Sequence, residues 1–347
     1  MSYFRSVIEA MEGYIPGEQP RNGEYIKLNT NENPYSPSPH VIQSLRDHLS
    51  SHRISLYPSP LGDGIRKKAA EIYGVPEDWI MIGNGSDEIL NLIFRAFLGK
   101  GDVVMYLYPT YILYRTLALF QEAEYQEIPF TYDETLPMEL IDRPAQLKVI
   151  CNPNSPSGTF FPIPQMEKLL QVSDCPVVID EAYVDFSRDN CLSLLKTYPN
   201  LLIPRSFSKS FSLAGMRIGI LFAHPEIVHG LLKLKDSYNL SCLSQVAAMA
   251  ALEDIDAMWE NVRKIRETRE WFTRAMRELS FTVRPSEANF VMVQKGGGNM
   301  RLLYEALKSR QILVRFFPEW PDLLRISIGT DLEMKTLLNA LYSITGA

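Results

Sequence analysis

The sequence predicts an α/β protein with a large domain, built on a mostly parallel β-sheet between helices, and a smaller α+β domain. From about residue 63 onward, helix-like and strand-like segments alternate, which is the pattern of βα units on a parallel sheet. A long helical tract at about 242–279 ends the alternation, and short strand-like runs and two helices follow it. This tract is therefore expected to bridge the two domains.

The elements can be placed in order along the chain. Residues 1–35 are rich in proline, asparagine and glycine, so we expect an extended arm that packs with the small domain, ahead of a first helix near 39–51. After the alternating region come three short buried runs that each end in polar residues: LKVICN, PVVIDEAYVDF and LLIPRSF. The predicted division is an arm (1–35), a large domain (36–240), and a bridging helix with the small domain (241–347).

Composition excludes several classes of function. The chain has 347 residues, of which 46% are hydrophobic, and a net charge of -6, so a basic surface for nucleic acid is not expected. Its four cysteines have neither CxxC nor Cys/His ligand spacing, so we expect no metal site and no disulfide framework, but reduced thiols in a cytoplasm. Neither a signal peptide nor a run of 18 apolar residues is present, so we expect no membrane partner.

Four polar motifs fall at or after predicted strand ends: GNGSDE (83–88), CNPNSPSG (151–158), IDEAY (179–183) and SFSKSFSLAGMR (206–217). Ligands of open α/β sheets bind outside the carboxyl ends of the strands. Each motif alone also fits an ordinary structural role, such as a helix cap at Ser86, a turn at Asn152 or a capping carboxylate at Asp180. Neither a P-loop nor a GxGxxG dinucleotide motif is present.

Taken together, the motifs describe one ligand. A pyridinium nitrogen requires a carboxylate, a phenolate oxygen requires hydrogen-bond donors, a phosphate requires hydroxyls, amides and a guanidinium, and an aldehyde requires a lysine. These groups all occur in the four motifs. The predicted cofactor is therefore pyridoxal 5'-phosphate.

The same motifs resemble those of the class I/II, fold type I aminotransferases and, within them, the histidinol-phosphate aminotransferases. The similarity runs from LNTNENPYSPSP through SFSKSFSLAGMRIG to LLRISIGT. It implies a mostly parallel seven-stranded sheet in the large domain. It also implies a homodimer with shared active sites, because Tyr57 matches a tyrosine that reaches the phosphate of the neighbouring subunit's cofactor.

The resemblance assigns a role to each site residue. Lys209 would carry the cofactor as a Schiff base and move the substrate proton, Asp180 would pair with the ring nitrogen, and Tyr183 would contact the 3'-oxygen. The other cofactor contacts would be Asn152 at the 3'-oxygen, Tyr111 on the ring face, and Ser206, Ser208, Arg217, Gly85, Ser86 and Asp87 at the phosphate. The substrate would meet Arg325, Arg315, Tyr14 and, at the entrance, Asn33 within NENPY.

Two arginines near one dianion favour a phosphate-bearing substrate. The expected reaction is amino transfer between L-histidinol phosphate and 2-oxoglutarate, a step of histidine biosynthesis. Amino transfer from aromatic amino acids and decarboxylation of threonine phosphate would use the same cofactor set. A non-catalytic regulator on this fold is a further alternative, although Lys209 is in place.

Overall fold

The computed structural model describes residues 3–11, 17–20, 25–51, 53–296 and 299–346, and these residues build two β-sheets. The strands in chain order are β1 (Ile26–Leu28), β2 (Ile80–Gly83), β3 (Val103–Tyr108), β4 (Glu124–Pro129), β5 (Leu147–Cys151), β6 (Val177–Asp180), β7 (Leu201–Ser206), β8 (Gly219–Ala223), β9 (Phe281–Val283), β10 (Phe290–Lys295), β11 (Ile312–Phe316) and β12 (Leu324–Ser327).

Helices separate most of these strands. They are α1 (Ser6–Ala10), α2 (Pro39–Ser50), α3 (Asp63–Tyr73), α4 (Ser86–Phe97), α5 (Leu113–Phe120), α6 (Met138–Asp142), α7 (Ile163–Val172), α8 (Pro225–Leu232), α9 (Cys242–Glu253), α10 (Ile255–Glu278), α11 (Arg301–Lys308) and α12 (Asp331–Thr345). Within the described ranges, no helix combines the length and apolar character needed to cross a membrane.

The larger sheet has seven strands in the order β2-β8-β7-β6-β5-β3-β4. The five adjacent strands β7, β6, β5, β3 and β4 run parallel to one another, whereas β8 is antiparallel to both β2 and β7. Every residue of β5, β6 and β7 is buried, as expected for parallel strands covered on both faces. Successive side chains such as Val177 and Val178 enter two different apolar clusters, because they point to opposite faces of the sheet. The predicted mostly parallel sheet of seven strands is thus confirmed.

The smaller sheet has five strands in the order β1-β11-β12-β10-β9. Strand β1 pairs in parallel with β11, and the remaining pairs are antiparallel. Residues 26–28 therefore lie on a sheet whose other strands come from the last third of the chain.

Two features differ from the sequence expectation. The helical tract at 242–279 is two helices, α9 and α10, separated at Asp254, whose φ of -118° and ψ of 51° lie outside the helical region. Strand β8 was not anticipated, because the polar motif that ends at Arg217 runs almost directly into it. It folds back beside β7 and brings Arg217 close to the end of that strand.

Candidate active site

The central parallel strands bring three of the predicted residues to one edge of the larger sheet. Asn152 follows β5, Asp180 ends β6, and Lys209 lies three residues after the end of β7. The strands are neighbours in the order β7-β6-β5, and the backbone N–H of Asn152 donates to the carbonyl of Asp180 at 2.9 Å. This edge is the carboxyl end of the parallel strands, where ligands of such sheets bind.

Asp180 is a buried carboxylate with two hydrogen-bond donors. Its Oδ2 accepts from the hydroxyl of Tyr114 at 2.7 Å, and its Oδ1 accepts from the backbone N–H of Ala182 at 3.1 Å. Burial raises the pKa of Asp180 from 3.8 to about 6, although these two donors act in the opposite direction. A cation beside Asp180 would offset the energetic cost of burying the ionised carboxylate.

Lys209 is held through both its amine and its backbone. Its Nζ donates to the carbonyl of Thr30 at 3.3 Å and lies 5.7 Å from the ring centroid of Tyr183. The amide of Asn33 donates to the carbonyls of Lys209 and Ser210 at 3.0 and 3.1 Å. Desolvation, followed by the charge of Arg325, lowers the pKa of Lys209 to about 8. Near neutral pH, a larger fraction of this amine is uncharged than in an ordinary lysine.

Tyr183 and Asn152 flank the carboxylate. The hydroxyl of Tyr183 accepts from Asn31 Nδ2 at 3.0 Å, and burial raises its pKa to about 12. The side chain of Asn152 is buried and pairs with the backbone of Phe161 through its Nδ2 at 3.0 Å and its Oδ1 at 2.8 Å. Asn152 therefore retains one Nδ2 hydrogen for a ligand.

The predicted phosphate ligands form a cationic cradle at the start of α4. Arg217 donates from Nη1 to Ser208 Oγ at 3.1 Å and from Nη2 to Asp87 Oδ2 at 3.1 Å. Ser206 Oγ accepts from the backbone N–H of Ser208 at 3.1 Å. The backbone amides at the start of α4, beginning with Ser86, add hydrogen-bond donors and a positive dipole end.

Two glycines make room for this cradle. Gly85 has a φ of 82°, and a Cβ there would lie 2.7 Å from Nη2 of Arg217. A Cβ on Gly219, in β8, would lie 2.5 Å from the backbone N of Ser86. Gly219 has no room for a side chain, because its nearest neighbours are backbone atoms, whereas Gly85 favours glycine because of its positive φ.

Tyr111 also belongs to this group. Its hydroxyl donates to Asp87 Oδ1 at 3.1 Å, and its ring contacts that of Tyr114 edge to face, with centroids 5.8 Å apart.

The two predicted substrate arginines lie on neighbouring strands of the smaller sheet, where Arg315 is directly opposite Arg325. Arg325 donates to Ser155 Oγ at 3.3 Å and to the carbonyl of Asn29 at 3.0 Å. The guanidinium carbons of Arg315 and Arg325 are 5.3 and 5.6 Å from the ring centroid of Phe317. Ser155 follows β5, so Arg325 reaches from the smaller sheet to the carboxyl edge of the larger one.

One predicted residue is not part of this group. Tyr57 is 80% exposed and stacks on Tyr238, with ring centroids 4.3 Å apart. Tyr14 lies outside the described residues. Among the residues described, no cluster of His, Cys, Asp or Glu side chains is arranged to hold a metal ion.

Several residues that support the site were not identified from the sequence. Tyr114 follows Tyr111 by three residues, a spacing that places both on one side of a helical segment. Beneath the site, Glu181 and Arg205 form a buried ion pair with an N–O distance of 2.7 Å. Asn31 was noted only as part of the entrance motif. Apart from the spacing of Tyr111 and Tyr114, the sequence alone gave no signal for these contacts, because each partner is distant in the chain.

Comparison with known proteins agrees with this architecture. Residues 23–341 match the model of the family described as aminotransferase class I and II. Histidinol-phosphate aminotransferase 1 of Trichormus variabilis is 43% identical, with 99% of each chain covered. Histidinol-phosphate aminotransferase of Rhodopirellula baltica is 43% identical over 94% of this chain and 92% of the relative. The crystal structure of histidinol-phosphate aminotransferase from Sinorhizobium meliloti, in complex with pyridoxal-5'-phosphate, has a TM-score of 0.90 at 24% identity and covers 100% of this chain and 98% of that one. This likeness confirms the predicted fold class.

Proposed function

Because this chain belongs to the aminotransferase class I and II family, we propose that it transfers an amino group between L-histidinol phosphate and 2-oxoglutarate, with pyridoxal 5'-phosphate as its cofactor. The products of the forward reaction are imidazole acetol phosphate and L-glutamate. The observation that carries the proposal is the placement of a lysine, a buried carboxylate and an arginine cradle at the carboxyl ends of β6 and β7. Three different chemical groups of one cofactor require these three side chains.

The residues present fit this cofactor. The raised pKa of Asp180 reflects a buried carboxylate that would be stabilised by the protonated ring nitrogen. Arg217, Ser208 and the helix start at Gly85 form a cradle of cationic and neutral donors suited to a phosphate. When bound, the cofactor supplies a conjugated ring that withdraws electrons from the substrate's α-carbon.

The protein's own groups control protons at that carbon. The lowered pKa of Lys209 leaves part of its amine uncharged near neutral pH, so Nζ could bond to the cofactor's aldehyde carbon with loss of water. Once an amino donor has displaced it, the free amine could accept the α-proton and return it. Asp180 would hold a proton on the ring nitrogen, which would strengthen electron withdrawal. Tyr183 and Asn152 would donate hydrogen bonds to the ring's 3'-oxygen, and Tyr111 would lie against the ring face.

The substrate proposal rests on charge and on the relatives. Arg325 and Arg315 place two guanidinium groups on adjacent strands, which suits a phosphate that carries two negative charges. The two named relatives at 43% identity are histidinol-phosphate aminotransferases, which supports the same donor. We assign Arg325, Arg315 and Tyr14 to substrate binding and Asn33 to the entrance. The contacts of Asn33 indicate that it also fixes the lysine loop.

The test is product formation by purified protein loaded with pyridoxal phosphate. L-Histidinol phosphate with 2-oxoglutarate should yield L-glutamate, and kcat/KM should exceed that for phenylalanine and tyrosine as donors. Lys209→Ala should lose both the visible cofactor band and turnover. Carbon dioxide from threonine phosphate, with no glutamate from histidinol phosphate, would refute the proposed reaction.

We further propose a homodimer with shared active sites. Tyr57 and Tyr238 form an exposed aromatic pair, and the nearby Ile54, Leu56 and Leu61 are also exposed. Such a patch is typical of a surface covered by a partner. In a dimer, Tyr57 would reach the phosphate of the neighbouring cofactor. Light scattering should give twice the chain mass of 39.6 kDa, and Tyr57→Phe should weaken cofactor retention without changing that mass.

The division into an arm (1–35), a large domain (36–240) and a bridging helix with a small domain (241–347) is also proposed. The pairing of β1 with β11 supports an arm that packs on the small-domain sheet. We place the enzyme in the cytoplasm, because its four cysteines are free thiols and its relatives are biosynthetic enzymes. Limited proteolysis tests the boundaries, and cell fractionation tests the location.

A further inference from the structure

Three consecutive residues ahead of the first long helix each touch a different functional side chain. The carbonyl of Asn29 accepts from Arg325, the carbonyl of Thr30 accepts from Lys209 Nζ, and the amide of Asn31 donates to the hydroxyl of Tyr183. This segment follows β1 directly, so it is attached to the smaller sheet. Its position therefore links the proposed substrate arginine to the groups at the cofactor.

Asn31 is the most constrained of the three. It is 2% exposed and has a φ of 56°, a left-handed conformation that asparagine tolerates better than most residues. Its backbone N–H donates to Ser327 Oγ at 2.9 Å, and its carbonyl accepts from Asn289 Nδ2 at 2.9 Å. Both partners belong to the chain around the smaller sheet: Ser327 ends β12, and Asn289 precedes β10.

The same contacts determine which way the Asn31 amide faces. Ser327 Oγ donates to Asn31 Oδ1 at 2.9 Å, so Oδ1 is already occupied and Nδ2 faces Tyr183. Because Nδ2 can only donate, the Tyr183 oxygen must accept, and its own hydrogen points away from Asn31. The Ser155 side chain also hydrogen-bonds to Tyr183 and lowers its pKa, as a donor to the phenol oxygen does, so the hydrogen of Tyr183 remains for a ligand in the site.

On the basis of the proposed function, we infer that Asn31 is a positioning residue that orients the Tyr183 hydroxyl, so that Tyr183 donates its hydrogen to the 3'-oxygen of the cofactor. The side chain of Asn31 acts through Tyr183 and not on the substrate. A hydrogen bond donated to the 3'-oxygen stabilises its anionic form. The bound chromophore would therefore lose its proton more readily, and its pKa would be lower. Arg325 and Cys151 also act electrostatically on Tyr183, Ser155 hydrogen-bonds to it, and Lys209 lies over its ring, so the test must leave these groups unchanged.

The decisive variant is Asn31→Asp, which keeps the size of the side chain and suits the left-handed backbone. A carboxylate can only accept, so Tyr183 would turn its hydrogen toward residue 31 and away from the cofactor. The measurement is the pH titration of the visible absorption band of the holoenzyme. The acid dissociation constant of the chromophore should fall about tenfold, as expected for loss of one hydrogen bond to a charged group. Tyr183→Phe should give a fall of the same size.

Asn29→Asp is the matched control. It introduces the same charge two residues earlier, where the side-chain amide donates to the carbonyl of Glu18 and not to Tyr183. Its chromophore should titrate as in the wild type. A fall equal to that of Asn31→Asp would show that negative charge in the segment, and not the orientation of Tyr183, is responsible.

The outcomes separate this inference from the proposed function. If the wild type forms no visible band with pyridoxal phosphate, the proposed function and the inference both fail. If the wild type forms the band and Asn31→Asp titrates identically, only the inference is overturned. Should Asn31→Asp fail to fold, Ser327→Ala removes the partner of Asn31 Oδ1. It should shift the dissociation constant in the same direction by a smaller factor, and an unchanged constant would overturn the inference.

Discussion

Replacement of Asp180 by asparagine should stabilise the cofactor-free protein while it weakens cofactor function. The carboxylate is buried, and its pKa is raised from 3.8 to about 6, so the folded state opposes its ionisation. Between these two pH values the folded state binds the proton and the unfolded state does not, so stability falls as pH rises. Above pH 6 the full loss is present.

The magnitude follows from the size of the shift. A pKa raised from 3.8 to about 6 corresponds to about 3 kcal/mol of lost stability at pH 8. Asparagine can accept from Tyr114, but its Nδ2 would then face the N–H of Ala182, and the lost hydrogen bond costs about 1 kcal/mol. The net gain for Asp180→Asn is therefore about 2 kcal/mol at pH 8. At pH 5 it falls below about 1 kcal/mol, because the folded wild type is then largely protonated at this carboxyl.

The assay is urea unfolding of the cofactor-free wild type and variant at pH 5 and pH 8, at equal protein concentration. Only the difference between the two proteins is compared, so other titrating groups cancel. The same variant should retain pyridoxal phosphate less well, because a neutral side chain no longer pairs with the ring nitrogen. A stability difference that is the same at both pH values would refute the reasoning, since Asp180 would then not be a desolvated carboxylate.

Three further outcomes are expected. Gly219→Ala should weaken cofactor binding at least tenfold in a fluorescence titration, because its Cβ would displace the turn before α4. Gly215→Ala is the control and should bind the cofactor as the wild type does, because nothing lies within 4 Å of its Cβ. Glu181→Gln should destabilise the protein by about 3–5 kcal/mol in urea unfolding, because it leaves Arg205 buried without the charge of its ion-pair partner. Adding Arg205→Met to this variant should recover part of the lost stability. No recovery would contradict the ion-pair explanation. Tyr114→Phe removes a donor from the buried carboxylate and so raises the pKa of Asp180 further. It should lower pyridoxal phosphate affinity several-fold at pH 6, where the cofactor-free variant is mostly protonated at this carboxyl, with less effect at pH 8, where the carboxyl is ionised in both proteins; equal effects at both pH values would contradict a role through ionisation.

The sequence predicted the large sheet well because its central strands carry their own signal. β5, β6 and β7 are short apolar runs buried on both faces, and each ends in polar residues. Strand β8 has a similar apolar run, but it begins two residues after Arg217 and reads as the tail of the lysine motif. The break at Asp254 was also not predicted, because helical periodicity continues on both sides of one irregular residue.

For the proposed site, residue type singled out the side chains that would face a ligand more readily than those that support them. Lys209 and Asp180 are conspicuous, because a charged side chain after a buried strand needs a partner. Tyr114 and Asn31 are not, because their roles depend on contacts 66 and 152 residues away in the chain. No local pattern encodes such a contact, which exists only after the sheets have formed.

The pKa shifts of the two central ionisable groups predict how binding of the proposed cofactor would affect stability. Burial shifts the pKa of Asp180 upward and that of Lys209 downward, so in both cases the fold disfavours the charged form. For Lys209 the contribution to stability is therefore unfavourable below pH 8 and improves as pH rises from about 8 toward the ordinary lysine value of 10.5. A bound ring that presented a cationic nitrogen to Asp180 and a carbonyl carbon to Lys209 would relieve both penalties at once. Cofactor binding should therefore stabilise the folded protein most at pH 6–8, where both groups are disfavoured in the cofactor-free state.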